Sequence, residues 1–422
     1  MTSLVSSADA PFRRNDQGEL TCDGVRLADI ARDHGTPTYV YSAAAVDVAF
    51  DSVDSAYAGA PHLVCFALKA CSNLALAARL ARRGAGVDIV SGGELFRALK
   101  AGFPSERIVF AGVGKTRQEI GEALDANILL FTVESIQEVE AISALARERG
   151  KTARVAFRVN PDVDPKTHPY VSTGLKKNKF GIGRETVLDA YRFALSLPNL
   201  DPTGIHCHIG SQLVHLDPVR DAVDRIADLV AELKGIGVPI RYIDIGGGIA
   251  IRYRDETPDG PTAIASHVIG RAREFGATIL MEPGRFLVGN AGILLTEVVY
   301  TKENGSKKFV VVDAAMNDLI RPSLYDAYHE IVTVSPPSGE ENLVDIVGPV
   351  CESGDFLAHD RSFPPVASGD LLAVLSAGAY GFVMSSNYNA RPRAAEVVVA
   401  GGTARVTRQR ESYEDLIRGE VV

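Results

Sequence analysis

The sequence predicts an α/β protein: a (β/α)8 TIM-like barrel followed by a second, mostly antiparallel β domain of barrel or sandwich type. Three observations carry this expectation. From about residue 62 to residue 282, short β-branched runs alternate with longer amphipathic segments. The strand-like runs number eight, the count that closes a parallel barrel. Beyond about residue 290 the alternation stops, strand-like runs follow one another across polar turns, and long helical stretches become scarce. A chain of 422 residues also exceeds one ordinary core. The expected division is a segment 1–36 that joins the β domain, a barrel over 37–290, and the β domain over 291–422.

Taken in order, the barrel strands are expected at LVCFAL, VDIV, RIVFAG, ILLFTV, RVAFRVN, GIHCHI, YIDIG and TILME. Helical segments such as LALAARLARRG, GELFRALKAG, SIQEVEAISALARERG and VRDAVDRIADLVAELKGIG lie between them, and these four end at glycine, a common helix stop. A doubly wound open sheet is the competing arrangement, but the first strand is not followed by the G-x-G-x-x-G turn of that fold. In the last third, GILLTEVVYTKENGSKKFVVVDA reads as two strands around a polar turn. LVDIVGPVC, DLLAVLSAGAY and EVVVAGGTARVTRQR add further strands.

Composition narrows the function. The net charge of -9 argues against nucleic acid or an anionic membrane as the main partner, while leaving room for a local basic pocket. The five cysteines are scattered and form no C-x-x-C pair, which reads as a reduced, intracellular set. The opening MTSLVSSADAPFRR lacks the pattern of a signal peptide, and no apolar run reaches membrane-spanning length. A cytoplasmic protein is expected.

In such a barrel the reactive groups gather at the C-terminal ends of the strands. That rule collects Lys69 after the first strand, Asp88 at the second, His208 at the sixth, DIGGG at the seventh and EPGR at the eighth. The last two strand ends are where barrels often hold a phosphate. Glycines there let backbone N–H groups approach its oxygens, and Arg285 adds a fixed positive charge. A lone glycine triplet is more often a plain turn, and a lone lysine after a strand is far more often a surface residue. Their combination points elsewhere. A lysine in a partly desolvated mouth favours its neutral, nucleophilic form, and beside a phosphate cradle it suggests a Schiff base with pyridoxal 5'-phosphate. Glu282 then has a role at the pyridine nitrogen, keeping the ring protonated as a sink for the carbanion left by loss of CO2.

FALKA, HCHIGSQ, DIGGG, EPGR, GPVCESGD and AGAYGFVMSSNYNARPRAAEV occur in the same order in the barrel-type pyridoxal-phosphate decarboxylases, and the chain resembles that family from about Gly18 to Glu420. HPYVSTGLKKNKFGI and IRPSLYDAYHEI point to its diaminopimelate branch over the ornithine and arginine decarboxylases. The resemblance implies decarboxylation of meso-2,6-diaminopimelate to L-lysine and CO2 by a homodimer with active sites shared across the interface. It implies Lys69 as the covalent cofactor lysine and Cys351, from the partner subunit, as proton donor to the reacting carbon. It further implies His208 on the ring face, with Ser211, Gly247, Gly248, Pro283, Gly284 and Arg285 around the phosphate, Glu282 at the ring nitrogen and Tyr380 near the cofactor. Arg285, Arg321 and Tyr325 would hold the substrate's distal carboxylate, Glu352 its distal ammonium, and Tyr380 would line the substrate site. The stretch IAIRYRDETPDG departs from the family pattern, which has a glycine close behind the triplet.

Chemistry supports the assignment of Arg321. The substrate carries an amino acid group at each end, so its unreacting end needs partners of both signs, which RPSLY and CESGD supply. A decarboxylase for ornithine, arginine or lysine has no distal carboxylate to hold. Those activities, or a carrier-bound substrate, are the alternatives on the same fold. From another class, a barrel metallohydrolase would use a His-x-His pair, but it would be expected on the first strand, and here His206 and His208 fall on the sixth. No metal is expected, and His206 reads as an interior supporting residue. A catalytically dead binding protein on the same scaffold would be expected to lack Lys69 or Cys351, and both are present.

Overall fold

The computed structural model describes residues 10–163 and 179–422. Most of the HPYVSTGLKKNKFGI motif therefore lies outside the described residues. The chain divides into two compact units. One comprises Ala49–Ile251 with Thr257–Phe286, and the other Met1–Val48, Arg252–Glu256 and Leu287–Val422. The barrel unit thus begins at Ala49 rather than at residue 37. The short segment Arg252–Glu256 groups with the β unit, and it lies inside the stretch that departs from the family pattern.

Eight parallel strands close into a ring in chain order: β1 His62–Ala67, β2 Gly86–Ile89, β3 Ile108–Phe110, β4 Leu130–Val133, β5 Ala153–Asn160, β6 Leu200–His206, β7 Tyr242–Asp244 and β8 Thr278–Met281. The ring is sealed by β8 pairing with β1, with Leu280 opposite Leu63. Each expected strand is present. Among the described residues seven helices connect them: α1 Leu74–Arg82, α2 Gly92–Ala101, α3 Arg117–Ala126, α4 Ile136–Glu148, α5 Arg184–Ser196, α6 Asp217–Gly235 and α7 Thr262–Phe275. Several begin at side-chain caps. Asn73 accepts from the N–H groups of Ala75 and Leu76, Ser91 from Glu94, Thr116 from Glu119 and Ser135 from Glu138. Such caps satisfy N–H groups that a helix leaves open, and they fix where each strand-to-helix loop ends.

Alternation along the strands builds the site. Cys65 of β1, Val109 of β3, Leu130 of β4, Ala156 of β5 and Leu280 of β8 form one buried apolar cluster, with Leu63 and Tyr242 packed against it. Contributions from six strands mark these positions as facing the barrel interior. Side chains two residues apart on a strand share a face. The next inward layer therefore comprises Thr132, Arg158 and Asp244, with Glu282 just past β8. Gly204 abuts this cluster and places His206 in the same layer, and Gly86 likewise places Asp88. All six are buried. An apolar floor thus carries a polar, charged layer at the strand ends.

In the other unit, strands run in the order Phe356–Phe363, Asn342–Val347, Lys307–Val312, Gly292–Asn304, Thr38–Ser42, Ala395–Ala400 and Thr403–Arg408. Leu371–Val374 joins both Gly292–Asn304 and Ile331–Thr333. Most pairs are antiparallel, as expected for this part of the chain. Thr38–Ser42 is the exception in origin: this N-terminal strand is buried at all five positions. It pairs antiparallel with Gly292–Leu295 and parallel with Ala395–Val399. A strand with both faces covered needs an unbroken run of β-favouring residues, which TYVYS provides. Val40 packs with Leu20, Ile293, Leu375 and Val397 in the core of this unit. Among the described residues no helix is long and apolar enough to cross a membrane.

Candidate active site

The mouth of the barrel brings together the residues expected from its strand ends. Lys69 sits in the 3-10 turn Leu68–Ala70 immediately after β1. Its Nζ donates to Asp88 Oδ2 at 2.7 Å, with the lysine side chain 37% exposed and the aspartate fully buried. Burial, then the negative charge of Glu282, raises the Asp88 carboxyl to about 7 against the pull of Lys69. A carboxyl raised toward neutrality is a better proton acceptor than an ordinary carboxylate.

His208 lies two residues beyond β6, not on it. Its Nδ1 accepts from the N–H of Gly247 at 3.2 Å, so the proton of the neutral ring sits on Nε2. Burial, together with the positive charges of Arg158 and Lys69, pushes its pKa well below that of a free histidine. A neutral imidazole held by one ring edge offers a flat face. His206, the last residue of β6, is buried and belongs to a different network: its Nε2 lies 3.4 Å from Glu282 Oε2. The two histidines therefore do not form a ligand pair. His206, Asp244 and Glu282 can present ligand atoms within 4.8 Å of one another, a set that excludes His208.

The glycine turns are dictated by packing. Gly246 has φ 68° and Gly248 φ 115°, conformations that favour glycine. A Cβ on Gly247 would stand 2.4 Å from the Glu282 carbonyl oxygen, and one on Gly284 would stand 2.9 Å from Ala70 Cβ. The seventh and eighth strand ends thus approach each other and the lysine turn more closely than side chains allow. The N–H of Gly246 donates to Asp244 Oδ1 at 2.8 Å. Pro283 accepts through its carbonyl from the N–H of Ala67 at 3.2 Å, tying this turn to the end of β1. Arg285 Nη2 donates to Ser211 Oγ at 3.1 Å, which joins two of the expected phosphate-holding groups. Gln212 bonds both the N–H and the carbonyl of Ile251 and so ties the sixth loop to the seventh.

The remaining expected residues belong to the β unit. Arg321 is buried, its guanidinium carbon 5.3 Å from the Tyr253 ring centroid and 6.0 Å from that of Tyr325. Its Nε donates to His329 Nε2 at 3.4 Å, and His329 Nδ1 in turn bonds the Leu375 carbonyl at 2.8 Å. Arg321 is thus oriented from several sides. Cys351 and Glu352 are exposed. The Cys351 N–H is held by Asn389 Oδ1 at 2.8 Å, and the Tyr388 hydroxyl donates to Glu352 Oε2 at 3.4 Å. Tyr380 has φ 56°, an uncommon conformation for a residue with a side chain.

Sequence reasoning passed over several residues. Arg158 pairs with Glu134 at 3.3 Å, and Glu134 also accepts from the N–H of Gly181 at 2.8 Å. In the sequence Asp244 stands out only as the start of the glycine turn. A charged residue inside an otherwise apolar strand, as in RVAFRVN and YIDIG, was the available signal.

Comparison with known proteins agrees with this architecture. The family described as "Pyridoxal-dependent decarboxylase, pyridoxal binding domain" matches residues 43–289. A diaminopimelate decarboxylase of Aquifex aeolicus is 50% identical over 408 residues, 96% of this chain and 97% of that protein. Its counterpart in Pseudomonas aeruginosa is 52% identical over 406 residues, 95% and 97% of the two chains. The crystal structure of diaminopimelate decarboxylase from Helicobacter pylori complexed with L-lysine has a TM-score of 0.90 at 43% identity, covering 93% of this chain and 98% of that one. That of the M. jannaschii enzyme in co-complex with L-lysine has a TM-score of 0.93 at 39% identity, covering 100% and 99%. Sharing about half its residues with such enzymes over nearly its whole length, the chain belongs to the pyridoxal-dependent decarboxylases and, within them, to the diaminopimelate decarboxylase family.

Proposed function

We propose that the chain is a carboxy-lyase that converts meso-2,6-diaminopimelate to L-lysine and CO2 with pyridoxal 5'-phosphate, the last step of lysine biosynthesis in the cytoplasm. The observation that carries this reading is the meeting, at one barrel mouth, of a lysine, a buried carboxylate and a serine–arginine pair. The fit to the cofactor rests on unmet polar groups. Glu282 Oε1 is buried without a hydrogen-bond partner among the described residues, as the atom facing a ring N–H should be. When bound, the cofactor supplies an electron sink for the carbanion that loss of CO2 leaves behind.

Each residue then has a task set by its surroundings. Lys69 anchors the cofactor covalently and must first be neutral. Asp88 Oδ2, 2.7 Å from Nζ and titrating near 7, is placed to take that proton. Glu282 stays anionic although buried, because His206 and the nearby positive charges pull its pKa below the usual carboxylate range. His208, kept neutral, covers a ring face without adding a competing charge. Ser211, Gly248, Gly284 and Arg285 would hold the phosphate, while the Gly247 N–H is given to His208. Arg321 and Tyr325 receive the distal carboxylate and Glu352 the distal ammonium. Cys351 returns a proton to the reacting carbon. Exposure of Cys351 and Glu352 in the single chain fits a homodimer in which they serve the partner's barrel.

Borohydride reduction followed by peptide mapping tests the cofactor assignment. The yellow holoenzyme should bleach and leave the pyridoxyl group on the Lys69 peptide. A colourless protein that takes up no pyridoxal phosphate, or a label on another lysine, would overturn it.

A further inference from the structure

His206 has entered so far only through its pull on Glu282, and it belongs to the buried polar layer. It is 1% exposed, and its ring can present an atom within 4.8 Å of carboxylate oxygens of both Asp244 and Glu282. Its Nε2 lies 3.4 Å from Glu282 Oε2. The other Glu282 oxygen, Oε1, is buried and has no hydrogen-bond partner among the described residues. Asp244 completes the set: Oδ1 accepts from the N–H of Gly246 at 2.8 Å, and the carboxyl lies within hydrogen-bond reach of Glu282.

We propose that His206 is a positioning residue for Glu282: its Nε2–H holds Oε2, turns Oε1 toward the ring nitrogen of the cofactor, and so decides that Glu282 rather than Asp244 is the anion. This inference rests on the cofactor reading above. The physical reason is competition for one proton. Two buried carboxyl groups this close do not both ionise, and they share a proton unless something distinguishes them. A donor on one of them makes the distinction, because an unpartnered buried charge is far more costly than a partnered one. Asp244 has only the Gly246 N–H on Oδ1, whereas Glu282 has the His206 ring on Oε2 and the positive charge of Lys69 nearby. Burial and the charge of Glu282 push the Asp244 carboxyl well up, so Asp244 carries the proton. A protonated Glu282 could not hold a ring N–H. The histidine therefore controls ring protonation without touching the ring.

The test uses the holoenzyme loaded with pyridoxal phosphate labelled with 15N in the ring, and reads the nitrogen's protonation from its chemical shift. The wild type should show a protonated ring. His206→Leu should bind the cofactor on Lys69 but show an unprotonated ring, with kcat lowered on the order of 10- to 100-fold, the range seen when a partner orienting a functional group is lost. His206→Gln, which keeps a donor, should restore the wild-type shift. Adding Asp244→Asn to His206→Leu should also restore it, because the competitor for the charge is gone. A merely structural histidine predicts the opposite for this pair, since a second core change would add to the damage. If His206→Leu fails to fold, the His206→Gln and Asp244→Asn shifts still decide: an unprotonated ring in either overturns the proposal. A protonated ring in His206→Leu overturns it as well. If the wild type takes up no cofactor, the cofactor reading itself falls.

Discussion

In the proposed function, Arg321 carries substrate choice. Its guanidinium is fixed before any ligand arrives, by Tyr253 and Tyr325 over its faces and by His329 at Nε. Little side-chain freedom remains to be lost on binding, and an oriented guanidinium can offer parallel donors to a carboxylate. Arg321→Ala should lower kcat/KM for meso-diaminopimelate on the order of 10- to 100-fold, matching about 1.5–3 kcal/mol for hydrogen bonds to a charged group. The residual rate with L-ornithine, which has no distal carboxylate, should change far less. Equal losses with both substrates would remove Arg321 from the recognition site. The residues at the barrel mouth were mostly legible from the rule that barrel chemistry sits at strand ends. The same rule picks out Asp88 but not its pairing with Lys69, because an ion pair between consecutive strand ends depends on inward rotation that spacing alone does not give. His329 behind Arg321 left no sequence signal either, since it acts through a bond made in the folded chain.

At the scale of elements, the turn after β7 is the clearest case of backbone shape serving the site. DIGGG reads as a phosphate turn in sequence, but its structure shows a packing requirement as well. The Gly247 position faces the Glu282 carbonyl so closely that any side chain must displace backbone. Gly247→Ala should therefore destabilise the apoprotein by roughly 1–3 kcal/mol, as overpacking does, and should also weaken cofactor binding by shifting the eighth strand end. Thermal melts and a pyridoxal phosphate titration check both, and an unchanged melt with unchanged affinity would contradict the packing argument. All eight barrel strands could be found as short β-branched runs between amphipathic segments, a signal each stretch carries locally. Thr38–Ser42 could not be placed in the same way. Its partners come from the last third of the chain, so nothing within TYVYS tells which body it joins. The boundary expected at residue 37 accordingly falls at Ala49. The excursion Arg252–Glu256 was equally out of reach, although its stretch already stood out against the family pattern.

At the scale of the whole molecule, the proposed dimer explains why two exposed residues should be catalytic. Cys351 and Glu352 have little role as surface groups of one chain, and a shared site gives them one. Subunit mixing tests this. Lys69→Ala and Cys351→Ala should each be nearly inactive alone. Mixed under conditions that exchange subunits, they should recover about a quarter of wild-type activity, because half the dimers are hybrids and each hybrid has one intact site. Absence of recovery despite exchange would place both residues in the same chain's site. The central claim concerns the reaction, and CO2 release tests it most directly. With the pyridoxal-phosphate-loaded enzyme, release from meso-diaminopimelate should exceed release from L-lysine, L-ornithine and L-arginine by orders of magnitude, with L-lysine as the product. Comparable or faster release from any of those three, or none from meso-diaminopimelate, would contradict the account.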